Sequence, residues 1–365
     1  MKSGLFRYPI ISFLSVFFLW GEVATAHSQK TFSVMTYNVE NLFDTVHDEG
    51  KNDWEFLPLE VKKSSPEIQE YCEGLKGGYK FFCLNKDWNE SVLEQKIQNI
   101  SDVIRSYDDG WAPDIVVLQE VENMNVLRML RDQGLSDQGF ETLVLIEGPD
   151  KRGIDLAIMS RFPLYERPFL HDTIIDGGKR KSFGRGILEA TFDIWGEPVT
   201  ILANHWPSQG APDFFRDETA RILREVAMGN SDRSIIALGD FNTLPSDYPH
   251  AIDNWVTNRD FISHFEDPLA FLGQISVAAP GSYWYRGNWS YLDRIFVWDA
   301  LNTSIDPLWD SFHVLALPWM FKDLEWTDNS SKEEMLIVDW VPWRFDPKTG
   351  EGYSDHFPLI MEFTL

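Results

Sequence analysis

The sequence predicts a mixed, strand-rich α+β protein, and three observations predict it. Short apolar runs of strand length recur along the 365 residues, while only two stretches hold a helical period for several turns. Several of the apolar runs also end on a carboxylate, a carboxamide or an imidazole. With 44% hydrophobic and 14% aromatic residues the chain can bury a large core, which excludes a disordered polymer. The run Ile235-Ile236-Ala237-Leu238-Gly239-Asp240-Phe241-Asn242 organises the rest. It delivers Asp240 and Asn242, two positions apart and so on one side of a strand, to the point where Thr243-Leu244-Pro245-Ser246 stops it. A lone Gly-Asp at such a place reads more readily as a turn cap, and the other strand ends of the chain are what set that reading aside.

The amino terminus is a separate unit. Lys2 and Arg7 precede the apolar run Ile10 to Trp20, and Ala24-Thr25-Ala26 supplies small residues at a cleavage position. Residues 1–26 are therefore expected to be a secretory signal peptide, with export to a periplasmic or extracellular location. The run is too short for a bilayer span and nothing similar follows, so no transmembrane segment is expected. Residues 27–365 then form one domain. Removing Lys2, Arg7 and Glu22, a net +1, takes the formal charge from −25 to −26. That charge disfavours indiscriminate binding of nucleic acid through the surface but leaves room for a local basic site. Cys72 and Cys83, the two cysteines, can close a small loop in an exported protein or remain separate thiols.

In chain order, Thr31 to Asn41 starts as a strand and ends in the polar set Asn38-Val39-Glu40-Asn41. Residues 44–90 are rich in charge, Gly and Pro, and read as an insertion running over the surface. Ser91 and Glu94 have capping-box spacing, and Leu93, Ile97, Ile100 and Ile104 follow at helical intervals, which predicts a helix to about Tyr107. Ile115 to Leu118 is a strand ending in Gln119-Glu120, and Leu127 and Leu130 suggest a helix after it. Leu143 to Ile146, Leu156 to Met159, Gly186 to Phe192 and Val199 to Ala203 are further strands, the last running into Asn204-His205-Trp206. A second helix spans about Asp213 to Met228, with Phe215, Ile222, Leu223 and Val226 on one face. Tyr291 to Val297 carries Asp293 within a strand pattern, a Trp-rich insertion covers about 300–350, and Ser354-Asp355-His356 precedes a last strand, Leu359 to Phe363.

A metal-assisted hydrolytic site is the chemistry that uses all of these strand ends. Glu120 and Asp240 are hard oxygen donors of the kind Mg²⁺ prefers, with Mn²⁺ or Ca²⁺ as substitutes. His205 and His356 are placed to donate to phosphate oxygens, and Asp355 or Asp293 to orient an imidazole. Asn38, Asn204 and Asn242 can position water and phosphate without adding charge. Each has a plain structural alternative: an edge-strand ion pair of Asp293 with Arg294, a turn cap for Asp355, a core histidine at His205, a turn residue at Asn38.

Together these segments resemble the endonuclease/exonuclease/phosphatase superfamily, whose fold is that of deoxyribonuclease I. The resemblance rests on Tyr-Asn-Val-Glu-Asn at Asn38, Leu-Gln-Glu-Val at Glu120, Ala-Asn-His-Trp-Pro-Ser at His205, Gly-Asp-Phe-Asn at Asp240 and Asn242, Leu-Asp-Arg-Ile-Phe-Val at Asp293, and Ser354-Asp355-His356, all in family order from about residue 32 to the end. It implies a four-layer α/β/β/α sandwich of two mixed sheets. It implies Glu120 as main Mg²⁺ ligand with Asn38 and Asp355 near the metal, Asp240 as the group that activates water, and Asn242 and His205 as phosphate holders. His356, its ring fixed by Asp293, would stabilise the transition state. Arg185 stands where the family often has a basic residue facing phosphate, within a local concentration of Lys151, Arg152, Lys179, Arg180 and Lys181. The glutamate that partners the first histidine in deoxyribonuclease I has no counterpart.

The expected function is a phosphoesterase cleaving phosphodiesters, nucleic acid being the favoured substrate. A phospholipid or sugar-phosphate ester is the alternative, and an inactive binding module the alternative of another class. Trp309, Trp319, Trp326, Trp340 and Trp343 either form a rim that stacks on substrate or pack beneath a long loop.

Overall fold

A computed structural model describes residues 30–176, 179–271, 279–299, 303–328 and 335–365. The expected signal peptide, residues 1–26, lies outside the described residues, as do residues 300–302 and 329–334 of the Trp-rich insertion.

Strand β1 (Thr31–Leu42) opens the domain and is buried along most of its length, because it is central to its sheet. The 44–90 segment is not irregular as its composition suggested. It folds into short helices α1 (Leu59–Ser64), α2 (Pro66–Gly74) and α3 (Gly77–Asn85), and Cys72 on α2 is bridged to Cys83 on α3. Helix α2 has a readable start, since Pro66 takes its first turn and Ser65 Oγ accepts from Ile68 N.

Helix α4 (Glu90–Arg105) is the first predicted long helix, but its cap is Asn89, whose Oδ1 accepts from Val92 N at 3.2 Å. Ser91 therefore lies inside the first turn, and the helix ends at Arg105 instead of Tyr107. Then come β2 (Ile115–Val121), α5 (Met124–Met129), β3 (Thr142–Leu145), β4 (Asp155–Ser160), β5 (Phe169–Asp176), β6 (Lys179–Ile194) and β7 (Glu197–His205). The basic cluster Lys179 to Lys181 begins β6, a longer strand than the apolar pattern indicated.

Helix α6 (Asp213–Gly229) matches the second predicted helix and leads to β8 (Ser234–Asp240). The chain closes through β9 (Phe265–Glu266), β10 (Tyr283–Tyr285), β11 (Asn288–Ser290), β12 (Asp293–Trp298), β13 (Asp306–Val314), β14 (Phe321–Asp328), β15 (Met335–Pro342) and β16 (Leu359–Thr364).

Two six-stranded mixed sheets result, ordered β13-β16-β1-β2-β4-β3 and β5-β6-β7-β8-β12-β9. The main core lies between them: Val34 and Val117 of the first sheet share one cluster with Ile201, Ile236 and Leu238 of the second. Leu93, Ile97 and Ile100 of α4 cover the outer face of the first sheet. Ala220, Leu223 and Val226 of α6 cover the second, packing on Leu202, Ile235 and Ala237. The fold is therefore the four-layer α/β/β/α sandwich of deoxyribonuclease I.

Strand β8 shows how this architecture aims side chains. Ile236 and Leu238 face the other sheet while Ile235 and Ala237 face α6, so Asp240, continuing the first series, points between the sheets at their open end. Gly239 permits this. A side chain there would put its Cβ 1.9 Å from the carbonyl oxygen of Asn204 on parallel strand β7, at a φ of +146°.

Of the tryptophans in the insertion, Trp340 stacks on Phe321 at 4.5 Å, and Trp319 meets Tyr353 edge-on at 4.9 Å. Trp309 packs against the main core, and Trp343 lies edge-on to Tyr353. Trp309 and Trp343 pack inward, while Trp319 and Trp340 remain 38% and 54% exposed; the side chain of Trp326 lies outside the described residues.

Candidate active site

Strand register assembles the centre of the site. Asp240 pairs with His205 on parallel β7 and with Asp293 on antiparallel β12, so three strand ends place three titratable groups side by side. All three continue the alternation that faces the opposite sheet, where the β1–β2 ladder breaks after Asn38 and Gln119, with Glu120 next in the chain.

His356 and Asp293 form the firmest contact. His356 Nδ1 lies 2.7 Å from Asp293 Oδ2, both groups are buried, and Arg294 turns away to pair with Asp267 at 2.8 Å. The structural pair of Asp293 with Arg294 is thereby excluded. Burial alone would push His356 down, but the charge and hydrogen bond of Asp293, with Asp355 and Asp240 behind it, outweigh that and raise it to about 10. His356 is therefore a cation at neutral pH with Nε2–H as its free donor. Its backbone N–H donates to Ser354 Oγ at 3.1 Å, Ser354 Oγ–H donates to the carbonyl of Asn38 at 2.6 Å, and the Tyr283 ring packs over the imidazole at 4.7 Å. The Ser-Asp-His segment is thus tied to the end of β1.

Asp240 is buried and accepts two hydrogen bonds, from Asn242 N at 2.9 Å and Asn38 Nδ2 at 3.2 Å. Burial pushes its carboxyl up to about 7, with Asp293 adding to the rise and His356, Arg185 and the Asn242 amide opposing it. A carboxyl near 7 is tuned for general-base work at neutral pH. Asn38 spans the site, because its Oδ1 accepts from Glu40 N at 3.1 Å; it positions Asp240 more directly than it offers a metal ligand. Asn242 has a φ of +46° and donates from Nδ2 to the Trp206 carbonyl at 3.2 Å, which turns the chain so that its own amide reaches Asp240.

His205 Nε2 faces the same centre, 3.5 Å from Asp240 Oδ2 and 3.9 Å from Glu120 Oε1. It also takes a hydrogen bond from Arg185 Nη1, and a guanidinium can donate only to an unprotonated nitrogen. His205 is therefore neutral with its proton on Nδ1, and burial first, then Arg185 and His356, hold it well below the usual histidine range. Nδ1 is buried with no partner, in keeping with the absent partner glutamate. This bears on one expectation: in this arrangement His205 Nε2 accepts and offers no N–H at this face, while Arg185 brings guanidinium donors beside it.

Asn204 requires a correction. Adjacent residues of a strand face opposite ways, and since His205 faces the site, Asn204 faces α6. Its Nδ2 donates to the Leu202 carbonyl at 2.7 Å and its Oδ1 accepts from Trp206 Nε1 at 2.9 Å, so it braces the strand and meets no substrate.

Beside this centre stand Glu120, Asp355 and a third carboxylate that sequence reasoning missed, Glu40. Glu120 and Glu40 both adopt left-handed backbone, at φ +66° and +52°, where the β1 and β2 ladder breaks. Glu40 is pushed up to about 7 by burial and then by Asp355, against Arg344 and Lys96. Arg344 Nε donates to Glu40 Oε1 at 2.7 Å, and its Nη2 lies 3.4 Å from Asp355 Oδ2. Buried Lys96 of α4, lowered to about 8 by burial against the pull of Glu40, Asp355 and Glu120, donates to the Tyr353 carbonyl at 2.7 Å. Glu40 Oε2 is buried without a partner. The orphaned Oε2 is a hard oxygen donor of the kind Mg²⁺ takes, but among the described residues Glu40, Glu120 and Asp355 do not bring their oxygens within 4.8 Å of one another, whereas His264, Glu266 and Asp299 at the β9 edge do. The signal for Glu40 was present, since it follows Asn38 by two positions as Asn242 follows Asp240.

A groove of about 1330 Å³ opens from Glu40, Arg152 and Arg344 and runs outward between the carboxy-terminal segment Phe345 to Gly350 and the disulfide-bridged insertion.

A family model described as "Endonuclease/Exonuclease/phosphatase family" matches residues 81–364. Among solved structures, ANGEL2, described as a 2′,3′-cyclic phosphatase, aligns at 13% identity over 92% of this chain and 96% of its own, with a TM-score of 0.53. A protein of the same family description from Beutenbergia cavernae aligns at 16% identity over 92% and 72% of the two chains, with a TM-score of 0.51. At such identities the likeness concerns the fold alone. No curated protein matches.

Proposed function

This chain belongs to the endonuclease/exonuclease/phosphatase family, and on that premise we propose that it is an exported, Mg²⁺-dependent phosphodiesterase acting by in-line attack of water. Hydrolysis of a phosphoric ester is the chemistry of the family. The finer reading rests above all on the buried His356–Asp293 pair standing beside Asp240 in the strand register.

Asp240 accepts the proton of the attacking water as its oxygen bonds to phosphorus. His356, cationic and aimed by Asp293, donates from Nε2 to the phosphate as negative charge builds there, while the bond to the leaving oxygen breaks. Arg185 adds a second donor, and Asn38 and Asn242 hold the Asp240 carboxylate in place. Glu120, Asp355 and Glu40 would hold the Mg²⁺, which supplies Lewis-acid charge at the phosphate oxygens. In this reading Asp240, held by Asn38 and Asn242, serves as base and water is the attacking group.

Export is supported by the Cys72–Cys83 bridge, which belongs to an oxidising compartment, and by the character of residues 1–26. The test is release of nitrophenol from bis-p-nitrophenyl phosphate with Mg²⁺ present and after chelation. Turnover that needs the metal and disappears in Asp240→Asn is the expected result. No turnover by the wild-type protein with any divalent cation would leave a binding module as the better reading.

A further inference from the structure

The insertion that walls the groove carries a feature the hydrolytic site does not use. Helix α3 buries only Cys83 of its nine residues, while Tyr79, Phe81 and Phe82 are 76%, 54% and 51% exposed. The bridge to Cys72 holds the helix against α2, so these rings project from a fixed support. Lysines interleave them in Lys76-Gly77-Gly78-Tyr79-Lys80-Phe81-Phe82, with Lys86 closing the helix. Aromatic rings among lysines are suited to the boundary between hydrocarbon and head groups, where a ring lies in the apolar layer and an ammonium stays in water. The same three rings line the outer part of the groove that reaches Glu40 and Arg344.

We propose that α3 docks on a zwitterionic phospholipid surface and that the groove admits a phospholipid head group from that surface as far as Glu40 and Arg344, at the edge of the site; this rests on the phosphodiesterase reading above. Charge selects this occupant. The groove wall offers Glu40, Glu55, Asp87 and Asp346 against Lys86, Arg152, Arg344 and Lys348, four of each sign. Lys80 and Lys86 are paired locally, with Glu73 and Glu55. A polyanion such as single-stranded nucleic acid needs an electropositive track beside its stacking platform, and the groove wall, with four charges of each sign, supplies none. A head group carrying one phosphate and one ammonium matches the balance.

The experiment compares the full-length protein with Tyr79→Ser/Phe81→Ser/Phe82→Ser in co-sedimentation with phosphatidylcholine vesicles. Hydrolysis of vesicle lipid, single-stranded DNA and bis-p-nitrophenyl phosphate is followed in parallel. The expected result is vesicle binding by the wild type that falls at least about tenfold in the variant, roughly the loss of 1.4 kcal/mol, together with lipid hydrolysis, while the soluble diester is turned over equally by both. Should the triple variant fail to fold, Tyr79→Ser alone carries the comparison, with a smaller drop in the same direction. Equal vesicle binding by both proteins, no binding by the wild type, or loss of DNA cleavage in place of lipid cleavage would each overturn the proposal. Failure of the wild type on the soluble diester despite vesicle binding would instead overturn the phosphodiesterase reading and leave the docking surface standing.

Discussion

Replacing Asp293 by Asn tests the core of the mechanism, because it preserves shape and removes one charge. Asp293 Oδ2 sits 2.7 Å from His356 Nδ1 in a buried setting, and its charge and hydrogen bond carry His356 from the ordinary 6.5 to about 10 against the effect of burial. At about 1.4 kcal/mol per pH unit, that gap corresponds to at most about 5 kcal/mol of differential stabilisation of the imidazolium. In Asp293→Asn the opposing burial acts with less counterweight, so His356 titrates far lower and is largely neutral at pH 7. Since a positioned donor to the charge developing on phosphate is worth about 10²- to 10³-fold, kcat on bis-p-nitrophenyl phosphate should fall within that range. The alkaline limb of kcat/KM, near 10 in the wild type, should move below neutrality. The sign for stability follows from the raised value: the pair stabilises the fold fully below about 6.5, and its contribution is lost as pH rises through about 10. Urea unfolding at pH 6 and pH 10 should therefore show a loss in the wild type that is much smaller in the variant. An alkaline limb that stays near 10 in Asp293→Asn would refute the assignment of His356 as the acid held by Asp293.

Other expectations follow from the same geometry. Asp240, raised to about 7, must be ionised to accept a proton, so wild-type kcat/KM should fall as pH drops through about 7, and a limb near 4 would contradict it. Gly239→Ala should cost more than about 3 kcal/mol of stability or prevent folding, because its methyl group meets the Asn204 carbonyl at 1.9 Å in left-handed backbone; denaturant unfolding measures it. Asn204→Ala should lower the melting temperature, by breaking the Trp206 and Leu202 contacts, with little change in KM, whereas Arg185→Gln should raise KM for phosphate esters. Cys72→Ser/Cys83→Ser opens a loop of separation 11 and should cost about 2–3 kcal/mol in the insertion, leaving turnover of the small soluble diester intact.

The strand ends were legible because an apolar run that stops at a polar residue is a local pattern, and Asp240, Glu120 and His205 were singled out through it, whereas Asp293, inside a strand pattern, took its role from the family resemblance. The errors were local as well. Asn204 was grouped with His205 although neighbours on a strand cannot face one site, and Glu40 was passed over although it keeps the two-residue step from Asn38. The helices of the insertion were hidden by their shortness: α1 to α3 each run for nine residues or fewer, too few for a period to stand out, although Ser65-Pro66 marks where α2 begins. Arg185 stood out as a basic residue, but its donation to His205, and hence the tautomer of that histidine, depends on two strands lying side by side.

Read alone, the amino-acid order settles where the chain turns from apolar strand to polar tip, since that depends on a residue and its near neighbours. It cannot settle which tips meet. Asp240 reaches His205 through a parallel ladder and Asp293 through an antiparallel one, and Asn38 reaches Asp240 across the gap between sheets, over a separation of 202 residues. Those distances, and with them the raised carboxyl of Asp240 and the charged ring of His356, come from strand register and from the exclusion of water when two sheets close face to face. Burial and charge at that place are properties of the packed molecule, and no short stretch of the chain carries them.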